Sequence, residues 1–202
     1  IDALAINMLV PCIVQLYGPN AGGQLALVLR VLAIPIVLIA TSVADSFHSR
    51  LAIYAREAPE KMVPLFKRTT VGLFLAGLGP AAAIALGGGQ IFSFIFGKEW
   101  VVAGTLAVLS TPFLLAQITV SPLTRVVFVL RGQRSKLLYD IFLLAGVLGV
   151  FKYASVYKLT LTQTVLAFSV VNTLAFILYY IVLARIVAKA AAGSSISREE
   201  QN

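Results

Sequence analysis

Long runs of apolar residues without a single charge set the pattern of this chain, and basic clusters punctuate them. Between Arg68 and Lys98 lie 29 uncharged residues, between Glu99 and Arg125 lie 25, and between Lys158 and Arg185 lie 26. A helix needs about 20 apolar residues to cross a hydrocarbon core of roughly 30 Å, so each run predicts a transmembrane helix. A fourth span is read over 136–156, interrupted only by Asp140 and Lys152 near its ends. The stretch Asp2 to Arg30 is free of charge between its ends, but Gly18-Pro19-Asn20-Ala21-Gly22-Gly23 reads as a turn that divides it. Helices are therefore expected at 1–17, 24–47, 69–96, 101–124, 136–156 and 160–185. Residues 1–190 form a transmembrane region, and the polar, small-residue stretch 191–202 is expected to be a disordered tail.

Composition agrees with the pattern. Hydrophobic residues make up 59% of the 202 residues and charged residues 12%, with a mean hydropathy of +0.95. Soluble domains carry about twice that share of charge. The excess of 16 Lys and Arg over 8 Asp and Glu thus points to membrane loops rather than to nucleic acid. One cysteine, Cys12, and one histidine, His48, leave no disulfide framework and no recognisable zinc set. The fold class expected is all-α and integral to a membrane.

Charge then orients the helices. Loop 48–68 carries Arg50, Arg56, Lys61, Lys67 and Arg68. Loop 125–136 carries Arg125, Arg131, Arg134 and Lys136, and the tail carries Arg185, Lys189 and Arg198. These 12 lie on one side of a six-helix path, and Lys98, Lys152 and Lys158 lie on the other. The positive-inside rule makes the rich side cytoplasmic, with both ends of the chain on it. Phe92, Phe94, Phe96 and Trp100 around the Gly97-Lys98-Glu99 turn, and Tyr153 and Tyr157 near the other outer loop, read as interfacial aromatics. The chain opens on Ile with only about 17 residues before its first turn, which is short of a full crossing. It is therefore expected to be a fragment of a longer protein.

Candidate chemistry is sparse. His48 with Asp45 and Ser49 reads as a polar cluster at a membrane edge, and no catalytic set is identified. Gly87-Gly88-Gly89 lacks the Gly-Lys-Ser/Thr of a phosphate loop and is read as an unwound helix end. Pro35, Pro80 and Pro112 fall inside spans, where each removes a backbone hydrogen bond and favours a kink. Asp140 follows Lys136 by four residues and is expected to pair with it on one helix face. Asp2 sits in the first helix. Arg30 is the sharpest residue. It lies about six positions, some 9 Å, below the outer turn, where a charge at a helix centre costs about 2.5–3.5 kcal/mol. Position alone leaves two readings open: a side chain snorkelling to headgroups, or a guanidinium facing an internal cavity and holding phosphate oxygens in a fork.

Several stretches together resemble one family. Residues 16–35, from Leu16-Tyr17-Gly18-Pro19 through Arg30 to Pro35, resemble the G-x-x-x-x-G-x-Y-x-x-A-x-R…P turn and helix of bacterial polysaccharide exporters. Leu25 stands where that family usually has Tyr. Phe96-Gly97-Lys98-Glu99-Trp100-Val101-Val102-Ala103-Gly104 resembles their F-G-x-x-W-x-x-A-G turn, and Pro112, Ser121-Pro122-Leu123 and Arg131-Gly132-Gln133-Arg134 resemble the helix and basic loop that follow. The similarity, over about residues 1–150, is to the O-antigen flippases of the multidrug/oligosaccharidyl-lipid/polysaccharide exporter superfamily. It implies two six-helix lobes around a cavity, of which this chain is the C-terminal one and the N-terminal half is the missing partner. It also implies flipping of undecaprenyl-pyrophosphate-linked oligosaccharide across the bacterial cytoplasmic membrane, no enzymatic activity, no cofactor and no metal. By position, Arg30 becomes a substrate-binding residue that meets the pyrophosphate. The competing expectations are a drug/cation antiporter of the same superfamily, which needs membrane-embedded carboxylates, and a membrane-integral glycan polymerase, which needs larger outer loops. A non-transporting scaffold subunit is a third.

Overall fold

A computed structural model describes residues 8–130 and 132–199, so Asp2 and Arg131 lie outside the described residues. The chain forms an all-α bundle: α1 (Leu9–Tyr17), α2 (Pro19–Glu57), α3 (Met62–Phe96), α4 (Val101–Leu109), α5 (Thr111–Val120), α6 (Arg125–Val129), α7 (Gln133–Tyr157) and α8 (Leu161–Glu199). Short 3-10 turns at Pro59–Lys61, Lys98–Trp100 and Ser121–Thr124 complete the path. Five segments are long and apolar enough to cross a bilayer: Pro19–Glu57, Pro59–Phe96, Thr111–Val129, Gln133–Tyr157 and Leu161–Gly193. Large apolar side chains stand on the outer surface, Phe94 at 91% and Leu86 at 88% exposed among them, which suits a bundle surrounded by lipid.

The helices are longer than the apolar runs predict. α2 has 39 residues, about 58 Å, nearly twice the hydrocarbon thickness. Most of the expected loop 48–68 is consequently helix, and only Ala58–Lys61 leaves the α conformation. Arg, Lys, Glu and Ala favour helix as strongly as apolar residues do, so a charge ends the span and not the helix. The same reason extends α8 through Ala190-Ala191-Ala192 into the stretch read as disordered tail.

The first turn is also tighter than read. Gly18 alone bends the chain, at φ 87°, and Pro19 opens α2 at a position whose N–H would have no helical partner anyway. Gly22 is already in the helix, where a Cβ would come within 2.2 Å of Val14, so its role is the close approach of α1 to α2. Gly97, at φ 103°, plays the part of Gly18 between α3 and α4. The turn into α8 is a capping box: Gln163 accepts from the Thr160 N–H at 2.9 Å while Thr160 Oγ1 accepts from the Gln163 N–H at 3.4 Å.

α4, α5 and α6 form one broken rod through the middle of the bundle, packed against α2, α3 and α8. The break at Ser110 precedes Pro112, which has no N–H to offer the turn behind it. Pro35 and Pro80 lie within the uninterrupted helices α2 and α3. Gly87-Gly88-Gly89 is no unwound end. It lies in α3, where Gly88 meets Gly104 of α4 with no side chain between the two backbones. Phe92 is likewise a core residue, 1% exposed and 5.6 Å from the Phe96 ring, whereas Phe94 faces outward. α7 sits at the edge, held by α8 and α6.

Two polar clamps tie the end of the bundle that carries these turns. The Gln24 amide donates to Glu99 O and accepts from the Ala103 N–H, both at 3.0 Å, so it joins α2 to the first turn of α4. Tyr17 donates to Leu159 O at 2.8 Å and contacts Thr164 Oγ1 at 2.6 Å, joining α1 to the start of α8.

Candidate functional site

The Gln24 clamp sets the level of Arg30. Gln24 is beside the charged turn Lys98–Trp100, and Arg30 follows it by six residues, about 9 Å further along α2. Leu25, Val28, Leu32, Ala40, Ala44, Phe47 and Leu51 turn into the bundle. Arg30 is exposed on the opposite face with Ala33, Val37, Leu38, Thr41, Ser42, Asp45 and Ser49, spaced by three and four residues. Among the described residues it makes no hydrogen bond or ion pair. Its guanidinium therefore projects away from this bundle, toward whatever meets that face of α2.

The same face becomes polar further along. Thr41 donates to Val37 O at 2.5 Å and Ser42 to Leu38 O at 3.2 Å. These bonds to the preceding turn let hydroxyls sit on an apolar helix without unmet donors. Beyond them Asp45 Oδ1 lies 3.5 Å from Arg125 Nη2 of α6. An open groove of about 380 Å³ there is lined by Thr41, Asp45, Ser121, Thr124 and Arg125 among others. The two side chains are 82% and 44% exposed, so the pair contributes at most about 1 kcal/mol to folding. Its chemistry is that of an exposed ion pair whose two members remain reachable from the groove.

His48 is not part of this. It lies inside α2 and not beyond its end, on a different side, with Ala52, Arg56, Phe128 and Val129 around it. Its Nδ1 is buried without a hydrogen-bond partner. Ser49 donates to the backbone oxygen of Asp45, at 3.0 Å, and the Asp45 carboxylate turns to Arg125. No relay links the three side chains. Among the described residues no group of three His, Cys, Asp or Glu is placed to hold a metal ion.

Lys136 and Asp140 pair as their spacing predicts. Asp140 is 8% exposed, and the Lys136 Nζ also lies 5.3 Å and 5.7 Å from the centroids of the stacked Tyr139 and Tyr179 rings. The ammonium thus meets a carboxylate and two ring faces at once, which fixes the end of α7 against α8. The Asp45–Arg125 pair had no such signal in the sequence, because its partners are 80 residues apart on different helices. The direction of Arg30 was equally hidden, since an arginine on a uniformly apolar stretch does not show which side packs. No family model, curated protein or solved structure matches this chain.

Proposed function

We propose that this chain is a six-helix transmembrane lobe of a bacterial exporter that flips lipid-linked oligosaccharide across the cytoplasmic membrane. The observation that carries the reading is Arg30, a cation some 9 Å below the polar turn, exposed on the face of α2 turned away from its own bundle. In a two-lobe arrangement that face meets the opposite lobe, and the guanidinium stands in the shared cavity. There it offers a planar fork to the pyrophosphate of the carrier, in a medium where such a bond is stronger than in water. The hydroxyls of Thr41 and Ser42 and the Asp45–Arg125 pair continue the face toward the basic end, along the path a glycan headgroup takes as the lobes rock.

The carboxylates argue against the drug/cation antiporter. Asp140 is tied to Lys136 and Asp45 to Arg125, so neither is an unneutralised membrane acid awaiting a cation. Short connections argue against a polymerase: Gly18 alone, Gly97–Trp100 and Lys158–Thr160 offer no outer surface for sugars.

The basic bias supports a cytoplasmic side for the Ala58–Lys61 turn and the α6–α7 connection. Single cysteines at Ser49 and Ser135, without Cys12, should resist an impermeant thiol reagent in intact cells, and one at Asn20 should react. External labelling at Ser135 would reverse the orientation. The function itself is tested by deleting the gene. Surface polysaccharide should fall to background and the lipid-linked repeat unit should accumulate, with rescue by the two-lobe protein and none by residues 1–202 alone. Unchanged surface glycan would reject the exporter reading.

A further inference from the structure

A second site lies between α7 and α8. These helices run antiparallel from the tight turn at 158–160, and their outer sides enclose an open groove of about 470 Å³. Leu138 and Phe142 of α7 and Leu174, Leu178 and Val182 of α8 line it, with Ser135 at one end. The volume is within the range of small-molecule sites, about 300–1,000 Å³. Its rim is open to the surrounding lipid, with Phe142 75% and Leu178 64% exposed.

Lys152 and Lys158 lie toward the turn at 158–160, and a larger basic group lies at the opposite end of the groove. Arg134 precedes Leu138 by one helical turn, and Arg185 and Lys189 follow Val182 at the spacing that continues its face. All three are exposed, and all three are at the Ser135 end, where Gly132 meets Ile186. The acid on α7 itself, Asp140, is paired with Lys136, and Glu57 and Glu60 lie at the Pro59–Lys61 turn that packs against α8. The rim therefore presents three cations to the membrane surface beside an apolar channel that descends from it.

We propose that this groove holds an acyl chain of an anionic phospholipid from the leaflet at the basic end of the bundle, with its phosphate bound by Arg134, Arg185 and Lys189. A zwitterionic lipid fits the apolar channel equally well but brings its own cation to the rim, so the site selects for net negative charge. The inference stands on the groove and its rim, independently of what the Arg30 face carries.

Native mass spectrometry of the full-length protein, titrated with phosphatidylglycerol or with phosphatidylcholine of the same chains, tests it. One phosphatidylglycerol should remain bound under conditions that strip phosphatidylcholine. Each cation near an anionic group is worth about fivefold, so R134Q/R185Q/K189Q should bind phosphatidylglycerol on the order of a hundredfold more weakly, with a much smaller loss for phosphatidylcholine, whose ammonium already offsets its phosphate. The triple variant R56Q/K67Q/R68Q removes the same charge away from the groove and should keep the preference. A175F, which narrows the groove wall with every charge in place, should lower retention of both lipids, and it decides the question should the first triple variant fail to fold. Equal loss in both triple variants would reduce the effect to general attraction by a basic surface and overturn the site. Displacement of phosphatidylglycerol by an equal concentration of a polyprenyl phosphate would overturn the phospholipid as occupant.

Discussion

Replacing Arg30 by alanine should abolish surface glycan while the protein stays in the membrane at its normal level. The two consequences come from opposite ends of one energy balance. In the resting membrane the guanidinium is a burden, costing about 2.5–3.5 kcal/mol to insert, so its removal should ease insertion. Under the proposed function it becomes the partner of a phosphate once the carrier displaces the water around it, and truncating one member of such a pair costs about 2–5 kcal/mol. That is a factor of at least about thirty in substrate occupancy, enough to drop export below the demand of a growing cell. Arg30→Lys keeps the charge and loses the planar fork, so partial export should return. Quantifying surface polysaccharide against protein level by immunoblot separates the outcomes. If Arg30 only reaches up to headgroups, both variants should export as wild type, because alanine is comfortable in lipid.

The second large effect is expected at Gly104. A Cβ there would lie 2.5 Å from Gly88 O and 2.5 Å from Gly89 Cα, which are backbone atoms of α3. No rotamer change relieves such a clash, so α3 and α4 must part, and the cores on either side of the crossing lose contact. Overpacking of this kind costs about 1–3 kcal/mol for one added carbon where side chains can yield, and here they cannot. Gly104→Ala should sit at the upper end of that range, and Gly104→Leu should prevent accumulation of the protein. Gly72→Ala is the matched control: its Cβ meets open space in the same helix as Gly88, and it should be neutral or stabilising by about 0.4–1 kcal/mol. Thermal unfolding in detergent of the two alanine variants should rank them in that order. Equal melting temperatures would mean that the α3–α4 crossing is looser than described.

These two residues mark where the sequence was readable and where it was not. The apolar runs reveal long apolar helices, five of them long enough to cross a bilayer where six spans are expected. Of the first expected helix, only the part from residue 8 lies within the described residues. Lys136 and Asp140 reveal their pairing, because helix periodicity puts them on one face. The Gly97 turn is visible because few other residues adopt its φ. Contacts between distant segments obey no such local rule. Gly88 and Gly104 read as a flexible end and a turn motif, yet their common property, absence of a side chain, matters only where two helices cross. Phe92 and Phe94 have the same chemistry and lie two residues apart, but one is core and the other faces out. The charges of 48–68 suggest a loop, yet they leave the helix intact on both sides of Ala58–Lys61. Arg30 stands out in the sequence by its cost in an apolar run, whereas its direction depends on the neighbours of α2.

The central claim is that the exposed face of α2 borders a water-accessible substrate path and not the lipid. Cysteine accessibility along that face tests it most directly. In the full-length protein carrying Cys12→Ser, single cysteines at Ala33, Val37 and Thr41 should react with a small hydrophilic thiol reagent in membranes open to both sides, at rates within about tenfold of a cysteine at Ser49, because only a hydrated thiol ionises enough to react. Cysteines at Leu86 and Phe142, on outward apolar surfaces, should stay unmodified, and added lipid-linked oligosaccharide should slow the reaction at Val37. If the cysteines at Ala33, Val37 and Thr41 prove as inert as those at Leu86 and Phe142, the face of α2 lies against lipid, Arg30 snorkels, and the exporter account loses its site.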